Sequence, residues 1–323
     1  MNKNEANRLL DEVRDGNRLH PIARITEALW ATGDCVRNLP VHTQPFSEAS
    51  TCISFSGGRT SAYMLYRILE ANNMTLPSDA IVCFANTGKE EEATLQFVHD
   101  CEKNWGVEIH WLEYKYDEVP SNRWKRVTFE TASREGEPFF ELIDQNGSPY
   151  LPNPVARICT AKLKIRVINH YLKSIGWQHD ENSDWVGIRA DEMRRAAKMD
   201  RSRTPLVTAG VTKETVGEFW RSQSFDLGLP NMNGVTMHGN CDLCFLKPTH
   251  QIMSLIAEKP ERALWWMKME AHANSSNKTY GDGAKFRKDR PSYKEMYDFA
   301  LQQTDMFGNI DPNEEAIPCF CGD

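Results

Sequence analysis

The chain has 323 residues, of which 40% are hydrophobic and 26% charged, and carries a formal net charge of −7. That length and apolar content suffice for one large α/β domain with an appended unit, while the acidic balance argues against broad nucleic-acid binding, which depends on a basic surface that neutralises phosphates. Residues 1–8 are polar and charged and no apolar run approaches the roughly 20 residues that a bilayer requires, so a cytoplasmic protein without membrane contact is expected.

In chain order, residues 1–44 read as a charged helical lead-in, with the helical pattern over 3–34. The apolar run 51–55 predicts the first strand, and the stretch from Ala62 onward predicts a helix that buries Leu65, Ile68 and Leu69 on one face. Further strands are predicted at 80–85, 107–112 and 184–188, with a second helix burying Phe97, Val98, Cys101 and Trp105. This alternation predicts an α/β fold: a doubly wound, mostly parallel sheet with helices on both faces, in which ligands bind beyond the carboxyl ends of the strands. Residues 115–154 hold several Pro and Gly and no clear period, so they read as a long excursion or flap.

Residues 45–231 are assigned to this domain and 232–323 to a small, mainly helical C-terminal subdomain. The latter contains a CxxC, a Trp/Met-rich helix at 254–273, a polar loop at 274–291 and a cysteine-bearing tail. Trp265 and Trp266 are expected to be core, and Lys278, Lys285, Arg287, Lys288 and Arg290 to be solvated.

Chemistry concentrates at Ser56-Gly57-Gly58-Arg59-Thr60-Ser61, directly after Ser54 and Phe55 at the end of the first strand. Adjacent glycines, hydroxyls and a helix N-terminus make a phosphate cradle, although neither GxxxxGK(S/T) nor GxGxxG is present. Replacing Gly57 by a bulkier residue is expected to abolish nucleotide binding with the fold intact. Two other loops follow predicted strands, with Asn86, Thr87, Gly88 and Glu90 in one and Gly187, Arg189, Asp191 and Glu192 in the other. All three are expected to converge on one crevice.

Cys241 and Cys244 have the spacing at which both thiolates bind one metal, and Cys319 and Cys321 lie close together in the tail. Nine cysteines in a reducing compartment favour metal binding or catalysis over disulfides, with Cys52, Cys83 and Cys101 read as buried thiols.

SGGRTS at 56–61, NTGKE at 86–90, RICTAKLK at 157–164, WVGIRADE at 185–192 and GNCDLC at 239–244 occur in an order that resembles the phosphoadenosine phosphosulfate reductase-like family of the PP-loop ATP pyrophosphatase (adenine nucleotide alpha hydrolase-like) superfamily. The resemblance covers about residues 50 to 250. It implies a HUP-like nucleotide domain that binds ATP with Mg²⁺, with an acceptor attacking the α-phosphate and AMP and pyrophosphate released. Arg59, Lys162, Lys164 and Arg189 would balance charge on the leaving group, and Glu90, Asp191 and Glu192 would hold Mg²⁺ or position the ribose. It further implies a 4Fe–4S cluster on Cys159, Cys241, Cys244 and either Cys319 or Cys321; Zn²⁺ on Cys241, Cys244, Cys319 and Cys321 is the alternative.

Implied partners are an adenine nucleotide, a sulfur donor or partner protein, and a nucleic-acid acceptor at a local basic site. Two other functions stay open. One is a sulfonucleotide reductase using Cys321, since Cys321-Gly322 is similar to part of that family's C-terminal motif. The other is a non-catalytic nucleotide-binding subunit of a defence or modification complex. The complete phosphate loop favours ATP pyrophosphatase chemistry.

Overall fold

The computed structural model describes residues 1–14, 22–32, 50–177, 184–200, 203–232, 235–275 and 283–302. Its centre is a sheet built from β1 (Thr51–Phe55), β2 (Ala80–Asn86), β3 (Ile109–Glu113), β4 (Lys125–Val127) and β5 (Trp185–Val186), in the order β4-β3-β2-β1-β5. All pairings are parallel except the antiparallel edge β3–β4. In register, Thr51 lies opposite Ala80 and Phe55 opposite Phe84.

Every residue of β2 is buried, as a central strand covered on both faces must be. Ile81, Cys83 and Ala85 face one core, made with α5 (Glu137–Asp144), α6 (Arg166–Ser174), α10 (Thr249–Glu258), α11 (Arg262–Asn274) and α12 (Tyr293–Leu301). Ala80, Val82 and Phe84 face the other, made with α3 (Arg59–Ala71), α4 (Glu92–Trp105) and α9 (Lys213–Ser222). Leu65, Ile68, Leu69, Phe97, Val98, Cys101 and Trp105 are all buried there, as their spacing predicts. The helix α1 (Lys3–Arg14) pairs with α2 (Ile22–Thr32) around Ala6, Leu9 and Ala28. The remaining elements are the short helices α7 (Met193–Ala196) and α8 (Pro205–Thr208) and the hairpin of β6 (Asn231–Met232) and β7 (Val235–Thr236).

Several elements depart from the sequence reading. The 115–154 excursion contains β4 and α5, whose Phe139, Leu142 and Ile143 are buried against the sheet. The expected helix 254–273 is two helices broken around Pro260, which lacks the N–H needed to continue the first. The helices after residue 248 share the core under Ile81 and Cys83 rather than enclosing a separate one. Strand β5 stops at Val186 because a Cβ on Gly187 would lie 2.9 Å from the Ser61 Cα, so the chain turns there to pack on α3. Among the described residues, no helix is long and apolar enough to cross a membrane.

Candidate functional site

The loop after β1 is held by its own hydroxyls. Ser61 Oγ accepts from the Ser56 N–H at 3.2 Å, donates to the Gly58 carbonyl at 3.0 Å and lies 2.9 Å from Ser56 Oγ. Gly58, the residue before α3, has no side chain to cap the helix, which leaves the first-turn N–H groups facing outward for an anion. Gly57 has φ +79°, and a Cβ there would come within 2.7 Å of Thr94 Cγ2 on α4. Its substitution would therefore disturb the α4 packing, so the expectation of an intact fold does not hold.

Arg59, expected beside the leaving group, has its side chain turned to Asp226 in a bidentate pair of 2.7 and 2.5 Å. It donates also to the Leu229 carbonyl at 3.1 Å, while Trp220 Nε1 donates to the Arg59 carbonyl at 2.9 Å. Burial would raise the Asp226 carboxyl, but the Arg59 bond leaves it below its ordinary value. Arg59 thus fastens the start of α3 to the 226–236 segment.

The turn after β2 is also tied inward. Asn86 Nδ2 donates to the buried Glu113 at 2.6 Å and to the Ser133 carbonyl at 2.8 Å, and its Oδ1 accepts from Gly88 N–H at 3.0 Å. Glu113 further accepts from Ser133 and pairs with Lys125 at 3.0 Å. Glu90 accepts from the Thr87 N–H at 2.9 Å and from the Thr87 hydroxyl, which fixes the turn. Lys164 Nζ stands 3.8 Å from Glu90.

From the far side of β1, Arg189 Nη1 donates to Thr60 Oγ1 at 3.0 Å and its Nε to Asp191 at 3.1 Å. Glu192 accepts from the Arg189 N–H at 2.9 Å and pairs with Arg195. The loops after β1 and β5 are therefore in contact, as predicted, while the β2 turn is linked through Glu90 to Lys164 of the segment before α6.

Between the ends of β1, β2 and β5 lies a cavity of about 320 Å³. Phe55, Ala85, Ile165, Ile168 and Val186 give it an apolar wall, and Ser54, Ser56, Thr160, Lys164, Asp184 and Arg203 its polar groups. Thr160 is 7% exposed, and among the described residues its hydroxyl has no partner. Thr160 and Lys164 reach the cavity from a wide π-helical segment, Thr160–Ile165, that runs into α6. Lys162 lies on the same segment; burial, and then the charges of Arg166 and Arg123, lower its pKa. Thr160 lies within the RICTAKLK segment without being singled out there, and Asp184 and Arg203 carry no motif signal, because only the fold brings them beside Ser54.

The cysteines divide into groups. Cys52 and Cys83 are free thiols joined by a hydrogen bond, and that hydrogen bond together with burial raises the Cys52 thiol well above its usual range; burial does the same for Cys101. These are inert core thiols, as expected. Cys241 pairs with Glu90 as an isolated bridge and its Sγ is 3.4 Å from Thr87 Oγ1. Asp242 receives Lys89 at 3.1 Å, so the CxxC turn is docked on the β2 turn. Cys159 lies just before the π-helical segment and packs against the same core as Cys241 and Cys244, and among the described residues no three His, Cys, Asp or Glu side chains group as metal ligands. The expected 4Fe–4S and Zn²⁺ sets each draw on Cys319 or Cys321, which lie outside the described residues.

The fold and this cleft define an α/β protein with loops from adjacent parallel strands gathered around a half-apolar cavity. No protein-family model matches the chain. It is similar to the uncharacterized nin region protein ORF290 of Escherichia phage lambda, with 29% identity over 205 residues, which cover 62% of this chain and 67% of that protein.

Proposed function

We propose that the chain is an adenine-nucleotide enzyme of the PP-loop ATP pyrophosphatase type. The observation that carries this reading is the uncapped start of α3, bridged by Arg189 to the β5 loop and opening beside a cavity with an unpartnered Thr160 hydroxyl. In it, the apolar wall of Phe55, Ile165, Ile168 and Val186 takes the base, Thr160 and Asp184 orient the nucleoside, and the phosphates meet the α3 N–H groups.

Lys164 and Arg189 then stand where negative charge develops as the bond from the α-phosphate to pyrophosphate lengthens. Arg59 acts indirectly, by holding α3 through Asp226. Glu90 and Glu192 are used by the chain's own donors, while Asp191 is exposed and meets Arg189 Nε, so Asp191 together with the phosphates would hold Mg²⁺. Mg²⁺ would offset the phosphate charge there. No step is assigned to a cluster or to Cys321.

The test is to incubate the purified full chain with ATP and Mg²⁺ and resolve the products. AMP with pyrophosphate supports the reading. ADP with phosphate, or no AMP formed at all, would discard it.

A further inference from the structure

A second cleft, about 780 Å³, is lined by Thr60 and Arg189 and carries more charged side chains than the nucleotide cavity. One wall is α9, whose Val216 and Trp220 are buried while Lys213, Gly217 and Arg221 form an outward stripe at i, i+4 and i+8. A glycine inside a helix is unfavourable, and here it opens a slot between two cations. A Cβ on Gly217 would touch the Arg221 guanidinium at 3.5 Å. Among the described residues Arg221 has no hydrogen-bond or ion-pair partner.

We propose that this slot is a second anion site, separate from the nucleotide cavity, that takes a small oxyanionic co-substrate, a carboxylate or phosphate ester. The inference rests on the nucleotide reading above. Arg221 offers a planar fork to an oxyanion, and Lys213, whose Nζ is 3.9 Å from Glu214 at the cleft, a point charge. Arg59, on the opposite side, is already neutralised by Asp226. Glu214 and Glu218 beside the stripe keep the cleft from being uniformly cationic, which favours a compact anion over an extended polyanion. An oxygen of the co-substrate attacks the α-phosphorus, the bond to the bridging oxygen breaks, and pyrophosphate leaves with the electron pair; a mixed anhydride forms, with no change of oxidation state.

The test is calorimetric titration of the full chain, saturated with AMP, with inorganic phosphate and separately with malonate. At least one should bind, and the stronger of the two identifies the oxyanion type. Affinity should fall about tenfold or more in Lys213→Met and Arg221→Met, as expected for loss of a charge-assisted bond. Gly217→Leu should lose binding as well while raising the melting temperature, because leucine is the better helix former. AMP affinity should be unchanged in all three. Failure of both anions to bind, or equal binding in all three variants, overturns the site. Failure of AMP to bind the wild type instead removes the nucleotide reading, and the same anion titrations without AMP then decide the slot.

Discussion

Arg189 Nη1 donates to Thr60 Oγ1 across 3.0 Å, and this bond joins the loop after β5 to the first turn of α3. The same guanidinium holds Asp191 through Nε. One side chain thus fixes the gap between two strand ends, which in an open parallel sheet is the place for a ligand.

Replacing Arg189 by Met should therefore weaken ATP binding about tenfold or more, roughly 1.4 kcal/mol, with a smaller effect on AMP. Calorimetry on both nucleotides checks it. Equal losses for the two would assign Arg189 to loop structure instead.

Thr160→Val removes a buried hydroxyl that has no partner among the described residues. Relieving an unsatisfied polar group should raise the stability of the ligand-free protein by about 1 kcal/mol, while AMP affinity falls. Denaturant melts and AMP titrations read the two effects, and an unchanged AMP affinity would remove Thr160 from the nucleotide site.

Gly187→Ala places a methyl 2.9 Å from the Ser61 Cα, a backbone atom that cannot turn aside. A cost of about 1–3 kcal/mol is expected from such overpacking. Urea unfolding would show it, together with lost nucleotide binding as the two loops separate.

Glu295 should give a pH signature. The Ser292 side chain, then the Ser292 backbone and Lys285, hold its carboxyl down from 4.5 to about 2 in the capping box that starts α12. Because the folded value is depressed, the cap's contribution is present above the unfolded value and is lost as pH falls through the window from 4.5 toward 2. Glu295→Ala should cost about 1 kcal/mol at pH 7, a modest sum for an exposed group, and progressively less below pH 4.5. A melting-temperature difference that stays constant from pH 7 to pH 3 would contradict this.

Much of the sheet was legible because its signals are local. The run Thr51–Phe55 and the spacing of Leu65, Ile68 and Leu69 state a strand and a helix face without reference to distant residues. Helix α5 was missed although Pro138 in its first turn and Phe139, Leu142 and Ile143 behind it carry a helical pattern, since the surrounding segment has no period. Asn86 and Glu90 were legible as loop residues but not as inward-facing ones, because Glu113 and Cys241, which they meet, lie far along the chain.

The sequence by itself determined the strand–glycine loop–helix unit and the α/β alternation, because short-range periodicity and turn chemistry depend only on neighbours. Only the tertiary structure decided that Arg59 belongs to Asp226, that Thr160 and Asp184 line the cavity beside Ser54, and that Lys213 and Arg221 flank a second cleft. Those pairings join residues far apart in sequence, and which partner a charged or polar side chain meets is set by packing across the sheet, on which its own local sequence is silent.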